Sequence, residues 1–126
     1  MRDYSEVKVL VVDDMVTMQT VIKTILRDMG VVKIALAYNG KEALDKAVRL
    51  KFDLIISDWD MPKMTGVELL RTVRSEPEIT DTPFLMITAN SDKQKVLEAV
   101  QANVTDYIAK PFQPIALMNK VKKILG

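Results

Sequence analysis

The chain has 126 residues with neither cysteine nor histidine, which excludes a disulfide framework, a thiolate nucleophile, a cysteine–histidine zinc site and a Ser-His-Asp triad. Its 18 Lys and Arg against 17 Asp and Glu leave a net charge of +1, so bulk electrostatics favours neither nucleic acid nor an anionic membrane. Apolar residues make up 48% and charged residues 28%, the balance of one globular domain able to bury its own core. The aliphatic runs are far too short to span a membrane, and residues 1–6 lack an apolar signal segment, so a cytoplasmic protein is expected.

Apolar runs alternate with segments of helical period. The first run, residues 8–12, ends on Asp13 and Asp14. Met15, Met18, Ile22, Ile25 or Leu26, and Met29 then recur every three to four residues, and Gly30 stops the predicted helix as a left-handed cap. Residues 32–37 form a second run that ends on Tyr38, Asn39 and Gly40, followed by a helix with Ala43, Leu44, Ala47 and Val48 on one face. Residues 53–57 run into Asp58, and Gly66 precedes a third helix carried by Val67, Leu70 and Val73, ending near Glu76 and Pro77. Residues 83–87 run into Thr88. Ser91 to Gln94 reads as a capping box for a fourth helix, with Val96, Leu97 and Val100 expected inward. Residues 106–109 run into Lys110 and Pro111. Gln113 and Pro114 open a fifth helix, with proline at its first position and Leu117, Met118, Val121, Ile124 and Leu125 inward. By this spacing the eight methionines are mostly core filler.

The order is therefore five repeats of strand and helix. Strands rich in Val, Ile and Leu need cover on both faces, which predicts an α/β fold: a doubly wound, five-stranded parallel sheet with five helices. No composition shift divides residues 1–126, so a single domain without an output domain is expected. Ligands of such sheets sit beyond the carboxyl ends of the strands. That edge would collect Asp13, Asp14, Asp58, Thr88 and Lys110.

Carboxylates this close repel by about 1–4 kcal/mol per pair at about 4 Å, so they raise a pKa or recruit a cation. Oxygen-only ligation points to Mg²⁺, with Mn²⁺ as the alternative. Asp58, alone at its strand end, reads as a phosphoryl acceptor or as a turn aspartate. The Thr88 hydroxyl and the Lys110 ammonium supply what phosphoryl oxygens require, and a cis Lys110–Pro111 bond would aim the lysine inward. Tyr107 reads as a reporter of the site's state or as a half-buried tyrosine on an edge strand. Trp59 is expected partly exposed at the rim, because a core position would conflict with the charges beside it.

Four motifs follow in order. They are Val11-Val12-Asp13-Asp14; Asp58-Trp59-Asp60-Met61-Pro62 with Gly66; Thr88-Ala89; and Asp106-Tyr107-Ile108-Ala109-Lys110-Pro111-Phe112. In spacing, and over essentially the whole chain, they resemble response-regulator receiver domains, closest to the stand-alone chemotaxis members. The resemblance implies a flavodoxin-like strand order 2-1-3-4-5 and a phosphoacceptor at Asp58. It implies Mg²⁺ held by Asp14, Asp58 and the backbone carbonyl of Asp60, with Asp13 acting partly through water. Lys110 and Thr88 would bind phosphoryl oxygens. Thr88 and Tyr107 would form a switch that repacks the face of the fourth helix, fifth strand and fifth helix.

The implied donor is the phosphohistidine of a partner histidine kinase, in keeping with a chain that has no histidine. The implied output partner is a flagellar switch protein, with a phosphatase as a further partner. The chain would be a monomeric switch rather than an enzyme, with no nucleic-acid or membrane partner. Lys93, Lys95, Glu98 and Lys120 would lie on the output face. Two positions depart from the pattern. Asp60 stands where chemotaxis members commonly carry Asn, which implies an altered phosphoryl lifetime. Asn103 stands where glycine is usual, and Asn tolerates the left-handed backbone.

Three other readings compete. A phosphate sink or phosphorelay receiver shares every motif. A haloacid-dehalogenase-like phosphatase would use Asp58-Trp59-Asp60 as its Asp-x-Asp, but Pro62 stands where that motif has Thr or Val. A flavodoxin-like FMN protein needs a phosphate-cradling loop after the first strand, where this chain has acids.

Overall fold

The computed structural model describes residues 3–89 and 93–126. Five strands, β1 (Lys8–Val12), β2 (Lys33–Ala37), β3 (Leu54–Asp58), β4 (Phe84–Ala89) and β5 (Asp106–Lys110), alternate with five helices. The helices are α1 (Val16–Asp28), α2 (Gly40–Leu50), α3 (Gly66–Ser75), α4 (Lys93–Gln101) and α5 (Pro114–Leu125). The strands pair in parallel in the order β2-β1-β3-β4-β5, the order that the sequence motifs imply.

Alternation along the strands divides the core in two. Val9 and Val11 of β1 join Leu54, Ile56, Leu85, Ile87 and Ile108 against α1 and α5, where Ile22, Leu26, Leu117 and Val121 close the layer. Leu10 and Val12 join Ile55, Phe84 and Met86 against the opposite layer, where Ala43, Ala47, Leu69, Leu70 and Val73 pack. Every residue of β3 is buried. That is why Leu54, Ile55 and Ile56 follow one another without polar alternation. Each fully buried Leu or Ile contributes about 1.5–3 kcal/mol.

β3, β4 and β5 run one or two residues further than the apolar runs that announce them. Asp58 is the last residue of β3 and pairs with Ile87; Thr88 lies inside β4 and pairs with Ala109; Lys110 closes β5 and pairs with Ala89. The polar groups thus sit on the sheet itself, and the backbone ladder fixes their positions. Helix ends follow their local chemistry. Thr65 and Glu68 form a reciprocal capping box at α3, and the Asn39 side chain accepts from the Glu42 N–H at α2. Gly30 ends α1 at φ +97°, the left-handed conformation expected of a cap glycine. Asn103 adopts φ 64° before β5 and keeps its turn, with its N–H donating to the Val100 carbonyl at 3.0 Å.

Two expectations about helix faces are corrected. Leu97 and Val100 of α4 do not point inward; they are 49% and 54% exposed, and Ala99 is the buried residue of the helix among those described. Periodicity places Val96, Leu97 and Val100 on one side, but that side faces a groove along β5 rather than the core. Ser91 and Asp92 of the expected α4 capping box lie outside the described residues. Met15 is 56% exposed because it is the N-cap of α1, in extended conformation, and so falls off the helical register. Among the described residues no helix is long and apolar enough to cross a membrane.

Candidate functional site

The carboxyl edge of the central strands brings three acids together. Asp13, Asp14 and Asp58 each offer a carboxylate oxygen, and these oxygens lie within 4.8 Å of one another. Asp13 follows β1 directly, and its N–H donates to the Ala37 carbonyl at 3.1 Å. It is buried, and its Oδ1 accepts from the Met15 N–H at 2.8 Å. Asp14, the next residue, is exposed. Burial pushes the Asp13 carboxyl up to about 6; the Met15 N–H opposes that shift and the charge of Asp58 adds to it.

Asp58 is buried with 4% of its surface exposed. The Lys110 ammonium stands 2.9 Å from its Oδ1, as an ion contact rather than an aligned hydrogen bond. Burial raises the Asp58 carboxyl above the ordinary range. Lys110 pulls it down, and the charge of Asp60 raises it further. Lys110 reaches inward from the end of β5, and the Lys110–Pro111 peptide bond is cis. Gly66 allows the backbone to close over this region: a Cβ there would stand 2.4 Å from the Asp58 carbonyl oxygen, and the Gly66 N–H donates to the Trp59 carbonyl at 2.8 Å.

Asp13 Oδ2 and Asp58 Oδ1 are buried without a hydrogen-bond partner among the described residues. A buried Asp13 oxygen without a donor, beside an Asp58 oxygen met only by the Lys110 ammonium, in a cluster that holds no nitrogen or sulfur ligand, fits a hard divalent cation. Asp13, Asp14 and Asp58 are the side chains that could hold it.

Thr88 and Tyr107 stand beside this cluster rather than in it. Thr88 is 2% exposed, and its hydroxyl has no hydrogen-bond partner among the described residues. With Tyr107, Lys93, Val96, Leu97, Val100 and Ala109 it lines a groove of about 390 Å³ between α4 and β5. Tyr107 is 38% exposed on the edge strand, and the Lys120 ammonium lies 5.7 Å from its ring centroid while pairing with Asp106 at 3.0 Å. The small-residue loop that follows β4 lies mostly outside the described residues.

Trp59 corrects the sequence reading. It is buried at 6% exposure and packs into the core layer of α2 and α3. The conflict with neighbouring charge is relieved by a cation: Lys95 of α4 holds its ammonium 5.8 Å from the Trp59 ring centroid. The same ammonium pairs with Asp60 at 3.3 Å. The side chain of the fourth acid is thus exposed and engaged with α4, and it does not join the three-carboxylate cluster.

One positioning residue escapes the motif reading. Gln19 of α1 is 1% exposed, and its Nε2 donates to the carbonyls of Asp13 and Ala37, each at 2.9 Å. It ties the ends of β1 and β2 together directly under Asp13. The available signal is a polar residue at 19 on the inward stripe that continues through Ile22 and Leu26.

Three clustered carboxylates with an adjacent ammonium can hold a hard cation and place positive charge beside an anionic group. Residues 9–122 match the response regulator receiver domain. Chemotaxis protein CheY of Pseudomonas aeruginosa is 43% identical over 117 residues, spanning 93% of this chain and 94% of that one. Among solved structures, the chemotaxis response regulator CheY4 of Vibrio cholerae has a TM-score of 0.88 at 37% identity, covering 94% of this chain and 98% of that one. The receiver domain of a sensor histidine kinase from Pseudomonas aeruginosa, with a magnesium ion coordinated in its active-site cleft, has a TM-score of 0.87 at 30% identity; coverage is 95% of this chain and 98% of that one. Phosphorylation on an aspartate and Mg²⁺ binding in the acidic pocket are general to receiver domains, which are signalling switches of two-component systems rather than conventional enzymes. The chain belongs to the response regulator receiver domain family.

Proposed function

We propose that this chain is a single-domain phosphorylation switch with Asp58 as its phosphoacceptor and flagellar motor control in chemotaxis as its output. The observation that carries the reading is the buried Asp58 carboxylate, 2.9 Å from the Lys110 ammonium and clustered with Asp13 and Asp14. An Asp58 oxygen attacks the phosphorus of a phosphohistidine on a partner kinase. The P–N bond breaks, an acyl phosphate forms, and the imidazole leaves with a proton. Lys110 neutralises phosphoryl oxygens as a point charge, and the Thr88 hydroxyl donates to another. Asp13, Asp14, Asp58 and the Asp60 backbone carbonyl would hold Mg²⁺, which would supply the remaining positive charge. Mn²⁺ would serve the same ligands.

The new group carries about −1.5 to −2 charge and three acceptor oxygens. Thr88 and Tyr107 line one groove, so movement of Thr88 toward the phosphoryl group is felt at Tyr107 and along α4, β5 and α5. That face would bind the flagellar switch partner in the phosphorylated state, and a phosphatase would reset it. The match to the Pseudomonas aeruginosa chemotaxis protein, over 94% of that protein's length, supports the chemotaxis reading.

A phosphorelay receiver or phosphate sink is the second reading, favoured by the likeness to the receiver domain of a sensor histidine kinase. A binding experiment separates the two. With beryllofluoride and Mg²⁺ loaded on the protein, the switch reading expects a flagellar switch peptide to bind at least about tenfold tighter than without them, a difference of about 1.4 kcal/mol. Absence of binding in either state would favour the sink.

A further inference from the structure

Asp60 places a fourth carboxylate two residues from the phosphoacceptor, yet its side chain does not join the cation cluster. Its oxygens stand 3.3 and 3.5 Å from the Lys95 ammonium of α4. That ammonium also lies 5.8 Å from the centroid of the buried Trp59 ring. An exposed ion pair is ordinarily weak. This one differs in its placement: it joins the fourth helix to the segment that leaves β3 directly after Asp58, and the face of Trp59 gives the ammonium a second anchor.

Building on the reading of Asp58 as a Mg²⁺-dependent phosphoacceptor, we propose that Lys95 is a positioning residue of the site. By pairing with Asp60 over the ring of Trp59 it holds the fourth carboxylate toward α4, partly screened and outside the cation cluster. The cation site therefore behaves as a three-acid site although the sequence beside it supplies four. The pair also makes the seating of α4 part of the electrostatics around Asp58, so a partner that displaces the helix alters the charge at the site.

Calorimetric titration with Mg²⁺ alone, in low salt, tests this without phosphorylation. Lys95→Met unmasks Asp60 and tightens Mg²⁺ binding by about three- to tenfold, the effect of one partly screened charge on a divalent cation. Lys95→Arg preserves the pair and stays within about twofold of wild type. In an Asp60→Asn background, Lys95→Met changes the affinity by less than about twofold, because Lys95 acts through Asp60. Equal or weaker binding by Lys95→Met would overturn the proposal. So would the same tightening in both backgrounds, the signature of simple charge addition. Absence of Mg²⁺ binding by the wild type would overturn the phosphoacceptor reading together with this one, so the two failures are distinguishable.

Discussion

The third and fourth helices lie on the same face of the sheet and are held very differently. α3 enters through the reciprocal cap between Thr65 and Glu68 and buries Val67, Leu69, Leu70 and Val73. α4 buries Ala99 and leaves Leu97 and Val100 half in solvent. Large apolar side chains fix α3; a methyl group and peripheral polar contacts hold α4. The fold thus joins a stiff half, which sets Asp58 through Gly66 and Trp59, to a lightly anchored half bordering Thr88 and Tyr107. Segments with few buried apolar contacts are those that open and move most readily. A change of charge at Asp58 has such an element within reach.

Mutations break this comparison in a definite order. Leu70→Ala, in the stiff half, costs about 2–5 kcal/mol of unfolding free energy, read from the urea midpoint at unchanged slope. Next in size is the cation. At about 100 times its dissociation constant, Mg²⁺ stabilises the protein by about 2.7 kcal/mol, and Asp13→Asn removes most of that gain in the same titration. Thr65→Ala removes the α3 cap and costs about 1 kcal/mol. The smallest stability effect is expected at Leu97→Ala, within about 0.5 kcal/mol, although it strips apolar surface from the groove and weakens partner binding by the beryllofluoride-loaded form. A large loss of stability at Leu97→Ala would show that α4 is anchored as firmly as α3.

Much of this was legible in the sequence, for physical reasons. Parallel strands buried on both faces must be apolar throughout, so the runs before Asp13, Asp58, Thr88 and Lys110 announce both the strands and the edge where their polar ends meet. The packing of α4 was not legible. Periodicity shows that Val96, Leu97 and Val100 share a side, but it carries no information on whether anything covers that side. Sequence hides the burial of Trp59 for a related reason: the charge beside it is balanced by Lys95, a residue distant in sequence that only the fold brings over the ring. Gln19 was hidden because a buried glutamine reads as a surface residue until the carbonyls of Asp13 and Ala37 are seen to need its amide.

The central claim is that Asp58 accepts the phosphoryl group, and intact-mass analysis after incubation with a small acyl-phosphate donor tests it most directly. The account predicts one phosphoryl adduct on the wild type, lost when Mg²⁺ is chelated and absent from Asp58→Asn. An adduct of equal yield on Asp58→Asn would contradict it.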